Sequence, residues 1–287
     1  MQTNLPPCNV EDSWIASPPR RSVLRLLALA ASAVLPTLGA VSARAQSEST
    51  IESIKKAKVL RVGWATYFPY MFLDPKTRQL SGITVDLFQD MAEALGGVSV
   101  VYVEDSWATL IAGFQANKYD LMMPLVNTPQ RAEVVGFSLP LTKIALGLAV
   151  LKKDVDKYAS WRDLDKPGMR ISTTLGSSVQ TTVTPIVRQA QVVLVKSGNE
   201  SVAQLLSGRA DAWANTYDAF KFMQKEQKDL AVVPGPAMGF DQVALAYRKG
   251  DADTKNWLDK FVAAERANGN LLRIIQKHGL DNSYLAD

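Results

Sequence analysis

The sequence is almost free of the residues that form disulfides, thiol sites and histidine-based metal centres. Its 287 residues include one cysteine, Cys8, and one histidine, His278. Cys8 lies upstream of a segment that we expect to be removed, so the mature chain has no disulfide, thiol nucleophile or cysteine-based metal site. A single histidine argues against a histidine-based metal site and a Ser-His catalytic triad. We expect His278 to be a solvated residue at a helix end, and we expect no cofactor.

Long apolar runs are also scarce, and the one near the N-terminus is too short for a membrane span. The apolar stretch 26–41 follows the paired arginines Arg20-Arg21 and precedes Ala43-Arg44-Ala45. A basic start, an apolar stretch and an A-x-A-like cleavage site predict a signal peptide over residues 1–45. The paired arginines are typical of twin-arginine export. The alternative, a transmembrane anchor, would need about 20 apolar residues. We therefore expect cleavage after residue 45 and a soluble periplasmic product.

Neither sign of charge is in large excess. The chain has 32 lysines and arginines against 28 acidic residues, a net charge of +4. The predicted signal peptide carries four arginines and two acids, so its removal leaves about +2. A charge this small gives no reason to expect a nucleic-acid partner. The remaining chain, roughly 240 residues, suffices for one large or two small domains.

Alternating strand and helix patterns predict two α/β units. The order β-α-β-α-β in the first part of the mature chain indicates a parallel sheet with helices on both faces, and the alternation resumes later. Two extended segments, Leu139–Lys152 and Gln242–Arg248, would carry the chain from the first sheet into a second and back. We predict an α/β clamshell with lobe 1 over residues 46–145 and 240–287, and with lobe 2, residues 146–239, inserted in it. Ligands in such folds bind between the lobes, beyond the carboxyl ends of the strands.

The segment Asn117–Ser138 carries the most informative motif. It predicts a short buried strand at Leu121–Met123, a turn, and a helix that begins after Thr128. Threonine is a good N-cap, and the proline that follows fits the first helical position because its missing N–H would have no partner there. Arg131 lies on the first turn, where the helix dipole disfavours a cation. This arginine is therefore either solvated or held for an anion that the helix N-terminus also attracts.

This strand–turn–T-P-x-R arrangement resembles the carboxylate-binding turn of the family 3 periplasmic solute-binding proteins. Further segments are similar to motifs of that family, in the same order, across nearly all of the mature chain: Gly82–Leu87, Trp107–Ile111, Lys118–Asp120, Gly208–Ala212 and Ala246–Gly250. The resemblance implies a type II periplasmic-binding-protein clamshell with two hinge strands. It also implies a monomeric, non-catalytic receptor of an ABC importer, which binds an amino acid or related organic acid and presents it to a membrane permease.

The resemblance also implies which side chains of the first lobe hold the ligand. Tyr67 and Trp107 stand where the family places two aromatic rings that enclose it, and the alternative for both is ordinary packing. Arg131 stands where the family arginine pairs with a ligand carboxylate. A planar guanidinium matches a carboxylate with two parallel hydrogen bonds, which lysine cannot form. The alternative is a surface arginine paired with Glu133.

In the second lobe, Ser177 and Ser178 stand where the family offers a hydroxyl and backbone N–H groups to the same carboxylate; the alternative is a plain serine cap. Two departures from the family pattern bear on the ligand. The segment Met123–Val126 is apolar where small hydroxyl residues are usual, and Thr216 stands where the family places an aspartate that holds the α-ammonium. Either the ligand has no ammonium, or Asp218 or another acid takes that role. The alternative for Asp218 is an N-cap or first-turn acid.

Two other functions fit the same fold. A periplasmic enzyme, such as a dehydratase, would need an acid/base group with a tuned pKa in the cleft. Glu104, Asp105 and Asp218 are the nearby candidates, and none forms a convincing pair. A sensor partner would hand its closed form to a membrane receptor instead of a permease. We expect the binding protein of an importer, and not an enzyme.

Overall fold

Strands and helices alternate along the chain in the order that the sequence predicts. A computed structural model describes residues 48–74 and 76–286; the predicted signal peptide, with Cys8, lies outside them. In this part of the chain, no helix combines the length and the apolar character that crossing a membrane requires. The strands are β1 (Val59–Trp64), β2 (Phe72–Leu73), β3 (Leu80–Ser81), β4 (Ser99–Glu104), β5 (Leu121–Val126), β6 (Val135–Leu151), β7 (Arg170–Thr174), β8 (Gln191–Val195), β9 (Ala212–Thr216), β10 (Leu230–Val232) and β11 (Gly239–Arg248). The helices are α1 (Thr50–Ala57), α2 (Ile83–Ala94), α3 (Leu110–Gln115), α4 (Pro129–Val134), α5 (Ser178–Ile186), α6 (Gly198–Leu206), α7 (Tyr217–Glu226), α8 (Ala252–Ala267) and α9 (Asn270–Lys277).

One hydrogen-bonded sheet runs through both halves of this part of the chain. β1 pairs in parallel with β4 and β5, and β7 pairs in parallel with β8 and β9. Between these groups, β6 and β11 pair antiparallel over the whole length of β11. The order is β4-β1-β5-β11-β6-β9-β7-β8, with β10 also on β6. The sequence predicts two separate sheets; the two are joined because β6 is long enough to pair with β11 and also with β9.

Apolar side chains cluster on either side of the crossing strands and define two lobes. The core of the first lobe draws on the segments 51–144 and 243–280. The second lobe has two smaller clusters, drawn mostly from the segment 146–233. The lobe boundaries, between residues 145 and 146 and between 239 and 240, stay a prediction.

Two phenylalanines from the first part of the chain pack in the core of the second lobe. Phe68 and Phe72 belong to the loop and the short hairpin that follow β1, and both are buried beside Trp213 and Phe220. Their ring centroids lie 5.2 and 4.7 Å from that of Phe222. The hairpin therefore adds an unpredicted apolar contact that joins the two lobes.

An arginine–aspartate pair recurs at the same place in each lobe. Asp120 Oδ2 accepts hydrogen bonds from N and Nε of Arg61 at 2.9 and 3.1 Å. Asp211 Oδ2 accepts hydrogen bonds from N and Nε of Arg170 at 2.8 and 3.1 Å. Each aspartate directly precedes a strand, and each arginine lies on the neighbouring parallel strand. The acids of these two sequence motifs therefore fix the strand pairing within each lobe.

His278 is paired and largely buried, so the prediction of a solvated helix-end residue is wrong. It follows α9 directly, but its Nε2 lies 2.7 Å from Asp86 Oδ2, and its side chain is 11% exposed. Lys277 donates to the other carboxylate oxygen of Asp86 at 2.9 Å. Asp86 belongs to α2, so these contacts tie the C-terminal helix to the first lobe. No local pattern indicates a contact between residues so far apart in the sequence.

Candidate ligand-binding site

The predicted turn around Arg131 is present, and it directs the guanidinium between the lobes. Thr128 caps α4 through Oγ1, which accepts a hydrogen bond from Arg131 N at 3.3 Å, and Pro129 is the first helical residue. The Arg131 side chain is buried. Its Nη1 donates to Val126 O at 3.1 Å, and its Nη2 donates to Gly176 O at 3.3 Å. Because Gly176 follows β7 of the second lobe, this arginine bridges the two lobes.

Arg131 has no acidic partner at ion-pair distance among residues 48–74 and 76–286. Burial lowers its pKa to about 10, against the opposing fields of Tyr67 and Asp241. Its Cζ lies 5.5 Å from the centroid of the Trp107 ring, a cation–π distance. A guanidinium has five N–H donors, and the two backbone carbonyls occupy only two of them. Glu133, the alternative partner, is exposed. The buried Arg131 guanidinium has N–H donors without acceptors, which favours an anion as its partner, and its planar geometry suits a carboxylate.

The two serines after Gly176 have different roles at the start of α5. Ser177 Oγ accepts a hydrogen bond from Gln180 N at 3.2 Å and donates to Thr174 O at 2.7 Å. Its hydroxyl proton is therefore already used in a hydrogen bond, and this side chain acts as a helix cap. Ser178 is buried at the first helical position, where backbone N–H groups have no partner within the helix. The donors that α5 can offer to a ligand are these N–H groups and the Ser178 hydroxyl.

Tyr67 and Trp107 meet in one wall of the site. The Tyr67 ring stacks on Tyr70 at a centroid distance of 4.5 Å and meets Trp107 edge-on at 5.6 Å. Trp107 Nε1 donates to Thr66 O at 2.9 Å, which fixes the indole. Trp107 lies in the turn that precedes α3, which begins three residues later. The side chain of Asp105 accepts hydrogen bonds from residues of this turn and so holds the turn outside the helix.

Three residues near this wall carry buried polar atoms without a hydrogen-bond partner in the described part of the chain. These atoms are the Tyr67 hydroxyl, both carboxylate oxygens of Asp218, and Oδ2 of Asp241. The Tyr67 hydroxyl lies within the fields of both acids: burial raises the pKa of Tyr67, Asp218 and Asp241 raise it further, and Arg131 lowers it. Buried polar groups in native proteins are nearly always paired. Three such residues together indicate a place where a polar ligand completes the hydrogen bonding.

Asp218 lies on the first turn of α7 and is fully buried. Burial raises its pKa to about 6; the Thr216 hydroxyl and the nearby backbone N–H groups oppose the shift, although none of them meets the geometry of a hydrogen bond to the carboxylate. Thr216 is the N-cap residue, but its side chain does not cap the helix, and its backbone N donates to Asn215 Oδ1 at 2.8 Å. The first-turn position agrees with the alternative for Asp218. Full burial without a cation is nevertheless costly for a carboxylate, which indicates a role beyond the helix dipole.

Asp241 and Tyr70 are two residues near Arg131 and Tyr67 that the sequence did not single out. Asp241 lies on β11 and pairs in register with Ile144, so both side chains lie on the same face of the crossing strands. Burial raises the pKa of Asp241, and Arg131 opposes that shift. Tyr70 OH lies 2.6 Å from Thr142 Oγ1 on β6. One signal was available for Asp241, because it is the single acid in the mostly apolar strand β11.

Six of the seven predicted site residues line two adjoining cavities. The enclosed cavity, of about 30 Å³, is lined by Tyr67, Trp107, Ser177, Ser178 and Thr216 among others. Arg131 lines the second, of about 250 Å³, together with Trp107 and Ser177. Asp218 borders neither. Among residues 48–74 and 76–286, no group of three or more metal-ligating side chains is close enough to hold a metal ion.

Gly176 allows the approach of the lobes to be tested without removing a candidate ligand partner. It has φ +78°, and a Cβ there would lie 2.7 Å from the Ala108 backbone in the first lobe. We expect Gly176→Ala to fold but to bind solute more weakly, because the methyl group holds the lobes apart. Gly208→Ala is the matched control, since it has φ +70° and its Cβ would meet no atom within 4 Å. Both variants carry a backbone strain of about 1–2 kcal/mol. Equal solute affinities in titration calorimetry would contradict the prediction.

The chain is similar to binding proteins and to an enzyme. It is 26% identical over 255 residues to cyclohexadienyl dehydratase of Pseudomonas aeruginosa. The matched region covers 88% of this chain and 93% of that protein. It is 25% identical over 265 residues to the L-cystine-binding protein TcyA of Bacillus subtilis, with 90% and 97% covered. The crystal structure of the ancestral amino acid-binding protein AncCDT-1, a precursor of cyclohexadienyl dehydratase, superposes with a TM-score of 0.72. The identity to it is 29%, over 80% of this chain and 99% of that chain.

The structural likeness confirms the predicted two-lobed α/β clamshell. Residues 60–281 match the sequence model of the bacterial extracellular solute-binding proteins, family 3. That match covers more than half of the chain, from β1 to beyond α9, and includes the Arg131 turn and both crossing strands. The chain therefore belongs to the bacterial extracellular solute-binding proteins of family 3.

Proposed function

We propose that the protein is the periplasmic solute-binding component of an ABC importer and that it binds an amino acid or a related small carboxylate between its lobes. The observation that carries the proposal is the buried Arg131 guanidinium, which bridges the lobes, has no acidic partner in the described chain, and donates only to Val126 O and Gly176 O. Three of its five N–H donors remain for a ligand. A carboxylate would neutralise the charge and use the fork geometry.

The other groups of the site suit the remainder of an amino acid. The first N–H groups of α5 and the Ser178 hydroxyl would donate to the same carboxylate from the second lobe. The rings of Tyr67 and Trp107 would cover the ligand. Asp218, fully buried and without a hydrogen-bond partner, would accept the α-ammonium in place of the aspartate that Thr216 replaces. Each of these contacts is strongest when the lobes are closed, so binding would favour the closed form, which a membrane permease can recognise.

A thermal-shift screen of the mature protein tests this function. The protein is first unfolded and refolded to remove any solute that copurifies, and is then screened with amino acids, keto acids and polyamines. A ligand at a hundred times its Kd adds about 2.7 kcal/mol of stability, which for a chain of this size raises Tm by roughly 5–10 °C. Polyamines, which lack a carboxylate, are expected to give no shift. A shift with polyamines alone, or with none of these solutes, would contradict the proposal.

A second candidate function is supported by Asp218. A fully buried carboxyl group with a pKa of about 6 is suited to donate a proton near neutral pH, and cyclohexadienyl dehydratase is among the similar proteins. On this alternative Arg131 would hold an arogenate-like or prephenate-like acid; Asp218 would donate a proton to the ring hydroxyl, which leaves as water, while the ring carboxylate leaves as carbon dioxide and the ring becomes aromatic. The test is incubation with such an acid and measurement of the aromatic product. Product formation that Asp218→Asn abolishes would favour the enzyme, and solute binding without product formation favours the importer.

A further inference from the structure

The loop that follows β1 is fixed to the first lobe by its backbone. Tyr67 and Met71 exchange two backbone hydrogen bonds, at 2.8 and 2.7 Å. The carbonyls of Pro69 and Tyr70 accept hydrogen bonds from the first two N–H groups of α2, at 3.2 and 2.8 Å. The side chains of Tyr67, Tyr70 and Met71 lie in the core of the first lobe. This loop therefore moves with the first lobe.

Two phenylalanines of the same segment pack instead in the second lobe. Phe68 and Phe72 are 8% and 5% exposed, and both belong to the apolar cluster around Trp213 and Phe220. Phe222, on α7 of the second lobe, contacts both rings. It stacks on Phe68 at a centroid distance of 5.2 Å and meets Phe72 edge-on at 4.7 Å. Aromatic pairs at such separations attract each other beyond the burial of their surface.

Each side of this aromatic contact is joined to a residue of the candidate site by a short stretch of ordered backbone. In the first lobe, Phe68 directly follows Tyr67 and lines the enclosed cavity. In the second lobe, Phe222 lies four residues after Asp218 on α7, so the two side chains share a face of the helix. Phe222 itself lines neither cavity of the site. It can therefore be changed without altering a wall of the site.

The aromatic contact favours the closed form, and the charge at the site opposes it. Separating the lobes would expose the nearly buried rings of Phe68 and Phe72 to water, which is unfavourable. Closing the lobes brings the Arg131 guanidinium against the second lobe with only two backbone carbonyls as acceptors, and desolvating a charge is also unfavourable. A solute carboxylate removes this second cost. The aromatic contact offsets it before any solute binds.

A polar contact between the lobes lies at the next residue of α7 but contributes less. Lys221 Nζ donates to Asp281 Oδ2 at 3.1 Å, in the C-terminal turn whose Tyr284 packs against the first-lobe core. The side chains of this ion pair are 44% and 53% exposed. Ion pairs as exposed as this one add little stability. The aromatic contact is therefore the stronger of the two.

We infer that Phe68, Phe72 and Phe222 form an aromatic latch between the lobes, which keeps part of the solute-free protein in the closed form and thereby raises its affinity for solute. The effect on affinity rests on the proposed function, whereas the effect on the solute-free protein does not. Because the solute is held between closed lobes, its apparent affinity follows the fraction of free protein that is closed. Loss of the latch lowers that fraction.

The first test is small-angle X-ray scattering of the refolded, solute-free protein. Phe222→Ala removes the shared partner of the two first-lobe rings, and Phe222 is only half-buried, so we expect the variant to fold. Its radius of gyration is expected to exceed that of the wild type. An equimolar mixture of the common L-amino acids is expected to bring both proteins to one smaller radius. Phe240→Ala, at a ring that is 79% exposed, is the matched control and is expected to scatter like the wild type.

The second test is titration calorimetry with the amino acid that gives the largest shift in the thermal-shift screen. Phe222→Ala is expected to bind it up to roughly thirtyfold more weakly, the effect of losing two aromatic contacts. The loss is expected mostly as faster dissociation, because opening becomes easier. Phe222→Leu, which keeps apolar volume but no ring, is expected to fall between the two proteins. Lys221→Met, which removes the exposed ion pair, is expected to change the affinity little.

The outcomes separate the latch from the proposed function. If no amino acid binds, the proposed function is wrong, and the radii of the solute-free proteins still decide on the latch. A larger radius for Phe222→Ala with an unchanged circular-dichroism spectrum supports it. Equal radii would overturn it, and so would a larger radius that a bound amino acid leaves unchanged, since that result indicates partial unfolding. Phe222→Leu carries the same comparison if Phe222→Ala does not fold.

Discussion

Replacing Arg131 with methionine is expected to weaken binding of a carboxylate solute by roughly thirtyfold to several-thousandfold, without lowering the Tm of the ligand-free protein. The loss of affinity corresponds to about 2–5 kcal/mol, the usual cost of removing one partner of a buried charge pair. The Tm is expected to stay or rise because the free protein bears the desolvation of this guanidinium with only two backbone hydrogen bonds in return. If Arg131 instead stabilised the fold, its replacement would lower the Tm and leave the affinity unchanged.

Titration calorimetry measures the affinity and scanning calorimetry measures the Tm. Arg131→Lys keeps the charge but not the planar fork, so we expect an intermediate loss of affinity. Arg188→Met removes an exposed arginine of the second lobe and is expected to change neither quantity. Binding by Arg131→Met at the wild-type affinity would show that the carboxylate is held elsewhere. A large fall in Tm with unchanged affinity would assign Arg131 a purely structural role.

The turn that carries Arg131 could be predicted because its determinants are local. Thr128 supplies the cap, Pro129 starts the helix, and the arginine follows two residues later, so the sequence alone specifies the geometry. The role of Ser177 as a cap is local in the same way. What could not be predicted is that the arginine is buried and donates to Gly176 O, because this contact depends on how the lobes approach.

The apolar segment Met123–Val126, a departure from the family pattern, has a structural explanation. It belongs to β5, a central strand that is buried at every residue. The pairing of β5 with β11 shifts register between Leu125 and Met122. Pro124 lies within this interval, and an irregularity of this kind is where a central strand tolerates a residue without an N–H donor. The segment's contribution to the site is a backbone carbonyl, that of Val126, which accepts a hydrogen bond from Arg131.

The burial of Asp218 and the approach of Asp241 to Arg131 could not be predicted from the sequence. Asp218 was a candidate because it lies two residues after the position where the family places its aspartate, but its full burial is a property of the packed fold. Asp241 is more than a hundred residues from Arg131, and only the pairing of β11 with β5 and β6 brings it near. Sequence patterns with periods of two to four residues contain no information about such approaches.

Solute affinity and ligand-free stability are expected to respond to pH with opposite signs because of Asp218. The ionised carboxylate would bind the α-ammonium, and its pKa in the ligand-free protein is about 6. Below that pH a proton must leave on binding, so affinity is expected to fall by up to about tenfold per pH unit. The folded pKa lies above the unfolded value of about 3.9, so the folded state holds more protons between these values. The ligand-free protein therefore gains stability as the pH falls from 7 toward 4.

Asp218→Asn is expected to reduce both responses. At pH 7 the variant should bind an amino acid at least roughly thirtyfold more weakly. It should be more stable than the wild type by up to about 3 kcal/mol, the equivalent of a pKa shift from 3.8 to about 6 at 1.36 kcal/mol per pKa unit.

Asp241→Asn serves as the comparison, because burial raises the pKa of Asp241 too and its titration would add to the same slope. The buried Tyr67 and Tyr70 titrate well above pH 10 and do not contribute. Calorimetric titrations from pH 5 to 8 that gave Asp218→Asn the full wild-type slope would assign the proton to another group and remove Asp218 from the ammonium site.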